Sequence, residues 1–337
     1  MLQTIWFILW GVLWAAYFIL DGFDLGVGSL SPFIAKDESE KRAVHSAIWP
    51  YWDGNEVWLI SAGGITFAAF PTTYAVMFSS LYAPLMLILF SLIIRGVSME
   101  FRTKTDSEVL KKWCDRGIFI GSFLPALLLG VAFANIFQGV PIDGDGVFHG
   151  TLLTLLNPYG LAGGVLFVLL FLLHGSLWLA VKTEGTVHEK AAALSSKLWA
   201  VLLIVAAGFL GFTVFATDLY GNYLAMPALF VIPLVAVAAL LATRFYIGVG
   251  KWLGAWFSSA VTIAFVTFFG LGGLFPNLFP SSINPAYSLT AFNSSSSVLT
   301  LKIMLGVALV MVPVVICYQV WAYMFFKDKV KEGGMVY

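Results

Sequence analysis

The sequence predicts an all-α polytopic membrane protein with nine transmembrane helices, and three observations lead to this fold class. Of the 337 residues, 60% are hydrophobic and 11% are charged, whereas soluble chains carry roughly 25% charged residues. Uncharged apolar stretches of about 20 residues, the length that crosses a hydrocarbon core as a helix, recur along the whole chain. Lys and Arg are concentrated in alternate connections, as expected when one face of a membrane collects the positive charge.

The predicted spans follow in chain order and form one integral membrane domain over 1–337. Their approximate bounds are 4–33, 50–70, 73–95, 116–137, 158–181, 197–217, 222–243, 252–275 and 302–326. The first stretch, MLQTIWFILWGVLWAAYF, has neither a basic leading region nor a small-residue cleavage pattern. We therefore interpret it as the first spanning helix and not as a removable signal.

Spans two and three come from one uncharged run, from Val57 to Ile94. As a single helix this run would be about 57 Å long, well beyond the thickness of a bilayer. It must therefore fold back, and Pro71-Thr72-Thr73 is the natural helix breaker. The sequence predicts two spans joined by a very tight turn.

The placement of positive charge gives the orientation. Seventeen of the eighteen Lys and Arg residues, all except Lys302, fall in the connections after spans one, three, five and seven or in the C-terminal tail. The positive-inside rule then places the N-terminus outside and the C-terminus in the cytoplasm. Loops 138–157 and 276–297 lack Lys and Arg and are predicted to be extracytoplasmic. A count of eight spans would scatter the positive charges over both faces.

Charge and cysteine content exclude other classes of function. The formal net charge is zero and the isoelectric point is about 6.9, so the chain has no basic field to attract nucleic acid. Cys114 and Cys317 lie far apart without C-x-x-C spacing, which indicates neither a metal site nor a disulfide framework.

Four carboxylates interrupt the apolar pattern at one face of the predicted membrane domain. Asp21 and Asp24 lie near the inner end of span one, and Asp53 and Glu56 lie at the inner end of span two. Each pair has i, i+3 spacing, so both members share one helix face. A carboxylate on a membrane helix is costly and is by default a functional hypothesis.

Several interpretations of this acidic group stay open. The four residues could be solvated interfacial acids or helix caps. They could form a proton-uptake path, in which clustered carboxylates relay protons inward. They could also bind a hard cation, which needs several oxygen ligands. A stand-alone secondary transporter would use such acids for ion coupling, but transporters place them near the midplane and these lie at one face.

Few other ionisable residues lie within the predicted spans. His174 is a lone intramembrane histidine that either ligates haem or hydrogen-bonds a neighbouring helix. Arg95 and Glu100, at the end of span three, are expected to pair with each other or with neighbouring residues.

Four segments carry a resemblance to a known family: ILDGFDLGVGSL, WPYWDGNEVWLISAGG, DRGIFIGSFLPALLLGVAFANIFQGVP and NPYGLAGG. Together with the length and the span count, they resemble subunit II of the cytochrome bd-type quinol oxidases, the CydB family. The likeness extends from the first span to the last. It implies two four-helix bundles plus one peripheral helix, and a heterodimer with a nine-span subunit I of the CydA type.

The resemblance also implies the function. In this family quinol from the membrane is oxidised, dioxygen is reduced to water, and protons are drawn from the cytoplasmic side of the bacterial or archaeal cytoplasmic membrane. Haem b558, haem b595 and haem d are expected on subunit I, so that this chain is the non-haem subunit of the oxidoreductase. A structurally bound quinone and a small accessory subunit are further expectations, and no residue of this chain is assigned to catalysis, cofactor or metal.

The residues of a proton pathway can be carried over from the family motifs. Asp53 of WDGN and Asp24, the second aspartate of DGFD, match the positions proposed for proton transfer. Glu56 stands where some members have a neutral amide, and Asp21 is expected to cap or brace the helix. A purely structural subunit without a proton role is the remaining alternative.

Overall fold

The computed structural model describes residues 1–330, which are almost entirely helical. The α-helices in chain order are α1 (Leu2–Ile34), α2 (Glu38–Ser46), α3 (Trp52–Ala69), α4 (Pro71–Ser80), α5 (Tyr82–Thr103), α6 (Glu108–Gln138), α7 (Leu152–Leu155), α8 (Pro158–Lys182), α9 (Gly185–Ala216), α10 (Tyr220–Ala225), α11 (Val231–Gly248), α12 (Trp252–Leu274) and α13 (Val298–Phe325). Short 3₁₀ turns occupy Pro227–Phe230 and Pro285–Tyr287, and the strands β1 (Asn277–Phe279) and β2 (Leu289–Thr290) pair antiparallel.

Eight helices of the described chain are long and apolar enough to cross a membrane. They are α1, α5, α6, α8, α9, α11 with the 3₁₀ turn before it, α12 and α13. The helix at the predicted second span, α3, is 18 residues long but begins with the polar sequence WDGNE, which lowers its hydropathy. The protein is therefore an all-α polytopic membrane protein.

The run from Val57 to Ile94 is broken twice. Helix α3 ends at Ala69 and Pro71 begins α4, where the missing N–H of proline costs no helical hydrogen bond. A second break at Leu81 separates α4 from α5. The segment 73–95 is thus divided between two helices, and the long one starts at Tyr82 and extends to Thr103.

Helix α1 lies at the centre of the helical assembly, in contact with α3, α6, α8 and α12. Every residue from Asp21 to Ser31 is buried, as expected of a helix surrounded on all sides. A Cβ on Gly26 would collide with the carbonyl oxygen of Phe171, and a Cβ on Gly175 would lie 2.6 Å from the backbone nitrogen of Val27. Glycines on both helices therefore permit the close crossing of α1 and α8.

The connections that carry the positive charges meet at one end of the assembly, which we call the basic end. Asp115 accepts hydrogen bonds from Lys41 Nζ at 2.8 Å and from Arg102 Nε at 2.5 Å. Lys190 Nζ lies 2.5 Å from Glu40 Oε1. These ion pairs join the connections after α1, α5 and α8.

The connections without positive charge meet at the opposite end. Thr73 donates a hydrogen bond of 2.7 Å to Ser294, and the backbone N–H of Ser296 donates to the carbonyl of Ala69 at 2.8 Å. The turn between α3 and α4 therefore touches the long connection that precedes α13. The alternation of charged and uncharged connections in the sequence corresponds to two ends of the structure.

Helix α13 differs from the other long helices because it is almost completely exposed. Leu301 is its one residue classed as buried, and its carbonyl accepts a hydrogen bond of 3.0 Å from the indole of Trp6. At the basic end, Lys182 Nζ donates to the carbonyls of Phe326 and Asp328 just beyond the helix. Polar contacts near its two ends and the packing of a few side chains, Met304, Leu305 and Tyr323 among them, connect α13 to the rest of the protein.

Candidate functional site

Two of the carboxylates that the sequence singles out share one buried arginine. Arg95 Nη2 lies 2.7 Å from Asp21 Oδ1 and 3.5 Å from Glu56 Oε2. Arg95 and Asp21 are sealed from solvent, whereas the Glu56 side chain is 21% exposed. The sequence left open whether Arg95 and Glu100 pair with each other or with other residues. Arg95 pairs with Asp21 and Glu56, and Glu100 forms an exposed ion pair with Lys104.

The third predicted carboxylate, Asp24, is fully buried and belongs to a hydrogen-bonded chain of neutral side chains. Asn55 Nδ2 donates to Asp24 Oδ2 at 2.7 Å. Asn55 Oδ1 in turn accepts from the Tyr323 hydroxyl at 2.9 Å and from Gln319 Nε2 at 3.1 Å. The indole of Trp58 donates to Gln319 Oε1 at 2.8 Å. Residues of α1, α3 and α13 thus meet at Asp24.

The fourth predicted carboxylate, Asp53, lies apart from this cluster. It is exposed in the first turn of α3, and it makes no hydrogen bond or ion pair within residues 1–330. Glu56 lies one helical turn further along the same helix. The carboxylates are therefore ordered by depth, from exposed Asp53 through partly buried Glu56 to buried Asp21 and Asp24.

Charge balance distinguishes this cluster from an ordinary salt bridge. Arg95 pairs with Asp21 and Glu56, while the nearby carboxylate of Asp24 has a neutral amide as its partner and no ion pair within residues 1–330. An arginine side chain keeps its proton in proteins, so protons on the carboxylates are what can neutralise the surplus negative charge. The arrangement can hold and release protons while the arginine stays in place.

Several polar atoms of the cluster have unused hydrogen-bonding capacity. Within the described chain, Asp21 Oδ2, Asp24 Oδ1, Arg95 Nε and Nη1 and the Tyr17 hydroxyl are buried without a protein partner. Buried groups of this kind are ordinarily satisfied by internal water. Unused donors and acceptors are therefore concentrated around Asp21, Asp24 and Arg95.

His174 hydrogen-bonds neighbouring helices, which was one of its two predicted roles. Its Nδ1 lies 2.6 Å from Ser259 Oγ, and its Nε2 lies 3.1 Å from the carbonyl oxygen of Ile19. The ring also stacks on Trp256. Because both ring nitrogens are engaged, His174 does not fit the role of an axial haem ligand.

No metal cage is formed by the part of the chain that the structure describes. No group of three or more His, Cys, Asp and Glu side chains in residues 1–330 is placed to hold a metal ion. An apolar cavity of about 100 Å³ between α6, α8, α9, α11 and α12 is lined by rings such as Phe133 and Phe167. Its hydroxyls, on Thr262 and Thr267, bond carbonyls of their own helix. The cavity therefore suits an apolar chain better than a polar headgroup.

Five residues of the site are not among the sequence predictions, namely Tyr17, Asn55, Trp58, Gln319 and Tyr323. Asn55 belongs to the WDGN motif, but its partner in α1 is far away in the sequence. Gln319 is the one amide in α13, and beyond Lys302 the rest of this helix is apolar apart from Tyr318 and Tyr323. An amide side chain is costly in lipid unless it is paired, and this signal could have identified Gln319.

Comparison with known proteins agrees with the resemblance noted in the sequence. The family model described as cytochrome bd terminal oxidase subunit II matches residues 2–326. Cytochrome bd ubiquinol oxidase subunit 2 of Bacillus subtilis (strain 168) is 35% identical, with 98% of this chain and 97% of the relative covered. Cytochrome bd-I ubiquinol oxidase subunit 2 of Escherichia coli (strain K12) is 36% identical, over 96% and 93%. The bd oxidase of Geobacillus thermodenitrificans includes a chain with the same fold, with a TM-score of 0.77 at 17% identity over 97% of this chain and 99% of that chain.

Proposed function

The chain belongs to the cytochrome bd terminal oxidase subunit II family, and we propose that it forms a proton-uptake path for a quinol oxidase that reduces dioxygen to water. Its partner would be subunit I of the CydA type, which would hold haem b558, haem b595 and haem d. The haems supply the electron transfer and oxygen chemistry. This chain, in the cytoplasmic membrane, would hold and guide protons.

The topology that goes with this proposal has nine spans, with α3 as the span whose hydropathy is lowest. The basic end, where Lys41, Arg102 and Lys190 form ion pairs, then faces the cytoplasm. Asp53, Glu56, Asp21 and Asp24 are reached from that end.

One observation supports the proton path most strongly: the carboxylates are ordered by depth around one fixed cation. Asp53 would take a proton from the cytoplasm, and Glu56 would receive it one turn deeper on the same helix face. Arg95 would keep its charge and, braced by Asp21, hold Glu56 in position. Asp24 would be the innermost carboxylate of the path in this chain.

The same cation argues against the alternatives. A site for Na⁺ or another hard cation offers its oxygen ligands to the ion, whereas here the guanidinium of Arg95 already occupies the space between Asp21 and Glu56. The acids also lie toward one end of α1 and α3, and not around a helix interrupted at mid-membrane as in transporters.

The experiment that tests the path is the Asp53→Asn variant in the complete complex, purified through a tag on this chain. We expect quinol oxidase turnover to fall while the haem content stays normal, because amides cannot take up a proton. Asp145→Asn, an exposed change in a loop at the opposite end, serves as the control. Normal turnover of a fully assembled Asp53→Asn complex would refute the uptake role and leave the structural alternative.

A further inference from the structure

The amide of Asn55 is held in one orientation by three side chains. Its Oδ1 accepts hydrogen bonds from Tyr323 and Gln319, and its Nδ2 donates to Asp24. A flip of the amide would turn the oxygen toward the Asp24 carboxyl and two N–H donors toward Gln319 and Tyr323. The orientation is therefore determined by what Gln319 and Tyr323 present to it.

The orientation of Gln319 is determined in the same way by Trp58. An indole N–H can donate but cannot accept a hydrogen bond. The Gln319 carbonyl must therefore face Trp58, as it does at 2.8 Å. The Gln319 amide nitrogen is left to face Asn55. Each donor fixes the orientation of the next side chain. The hydrogen bonds therefore all run, donor to acceptor, from Trp58 toward Asp24.

We propose that Gln319 and Tyr323 of α13, with Trp58, are positioning residues that hold Asp24 Oδ2 as a hydrogen-bond acceptor, so that Asp24 Oδ1 is the oxygen that takes and releases the proton. This inference rests on the proposed proton path. It extends the site to α13, a helix whose residues play no part in that path. Gln319 and Tyr323, four residues apart, share the face of α13 that reaches Asn55.

The chain that positions Asp24 cannot itself deliver the proton. The hydrogen-bonded series that runs from Trp58 to Asp24 consists of an indole and two amides. None of these groups gains and loses protons in the way that carboxyls do. The proton must then reach Asp24 on its other oxygen, Oδ1, which has no protein partner among the described residues. Helix α13 thus acts through Asn55 on Oδ2 of Asp24, and Oδ1 is left for proton transfer.

The test uses infrared spectra of the whole complex. The carboxyl C=O band of Asp24 is identified as the band that titrates in the unaltered complex and is missing in Asp24→Asn. With the proton on Oδ1, Oδ2 is the carbonyl oxygen that accepts from Asn55. Tyr323→Phe, which removes only a hydroxyl, and Gln319→Leu should therefore shift the band to higher wavenumber, most of all in combination. Turnover of the double variant should fall about fivefold, the effect of one lost hydrogen bond.

The matched control is Tyr318→Phe, the same chemical change on the exposed face of α13, which should leave band and turnover unchanged. An unshifted band in the double variant would overturn the positioning role. If Asp24→Asn turns over normally while the band shifts in the double variant, the proton path fails and the positioning role stands. If no carboxyl C=O band depended on Asp24 at any pH at which the complex turns over, both the proton path and the positioning role would be overturned.

Discussion

Arg95 and Asp21 form an ion pair of 2.7 Å in which neither side chain is exposed to solvent by more than 1%. The two residues lie on α5 and α1, 74 positions apart in the sequence. Removing both charges from water costs free energy, and the folded protein tolerates the buried pair because each ion compensates the charge of the other. Removal of one partner is therefore a more severe change than removal of both.

We expect Arg95→Leu to destabilise the protein by about 3–5 kcal/mol, the cost of leaving Asp21 as an uncompensated buried charge. Thermal unfolding in detergent and the yield of assembled complex are the measurements. The double variant Arg95→Leu with Asp21→Leu should recover most of the stability but not the turnover. Lys104→Leu, which breaks an exposed pair with Glu100, should change stability little. A double variant as unstable as the single one would contradict this account.

The crossing of α1 and α8 leads to a second prediction. Gly26→Ala adds a Cβ that would collide with the carbonyl of Phe171, so the helices must separate and Asp24, two residues away, must move. We expect a lower melting temperature and reduced turnover. Gly208→Ala on α9, where a Cβ meets nothing within 4 Å, should leave the melting temperature unchanged or slightly raised. If Gly26→Ala and Gly208→Ala had the same melting temperature, the crossing of α1 and α8 would tolerate a methyl group, contrary to this prediction.

The pH dependence of stability should reflect His45 in the short helix α2. Burial, followed by repulsion from Arg102, lowers the pKa of this imidazole to about 3. In the unfolded chain the imidazole binds a proton below about pH 6.5, whereas in the folded protein it stays neutral down to about pH 3. The unfolded state therefore binds more protons in this window, and the free energy of unfolding falls as the pH falls.

The measurement for His45 is the melting temperature between neutral and mildly acidic pH. His45→Gln, which cannot be protonated in the unfolded chain, should reduce the loss of melting temperature on acidification. An unchanged slope in His45→Gln would mean that other groups dominate the acid response.

The proposed partnership predicts the spectrum of the purified protein. A tag on this chain should retrieve b- and d-type haem bands in a reduced-minus-oxidised spectrum after gentle extraction from the native membrane. The bands should be lost when the chain is produced without its partner, because His174 has both ring nitrogens engaged. A colourless, monodisperse preparation from the native membrane would contradict the oxidase assignment.

The sequence predicts the helical membrane fold well because apolar length and charge placement are local properties of the chain. The break at Pro71 was predicted because one helix through the run 57–94 would exceed the bilayer and because proline lacks the N–H that continues a helix. The break at Leu81 was missed although Pro84 lies in the first turn of the helix that follows, where its missing N–H costs no helical hydrogen bond. That helix therefore begins later than predicted.

Within the site, Asp21 and Asp24 are buried, whereas the sequence alone left solvated interfacial positions open for all four acids. The partners of Asp21 and Asp24 were missed, since no rule of spacing connects Asp21 with Arg95 or Asp24 with Asn55. Arg95 was assigned to the end of span three because the uncharged run stops at Ile94. Its burial follows from the packing of α5 on α6 and α1, which only the three-dimensional structure contains.

The dependence of Asn55 on α13 has a consequence for biosynthesis. Translation delivers α1 and α3 to the membrane long before α13, so Asp24 and Asn55 are in place while Gln319 and Tyr323 are still to be made. Until then the Asn55 amide is free to turn. The hydrogen bonds around Asn55 are therefore completed only when α13 is made, and a chain that stops before residue 319 would lack both side chains that bond the Asn55 oxygen.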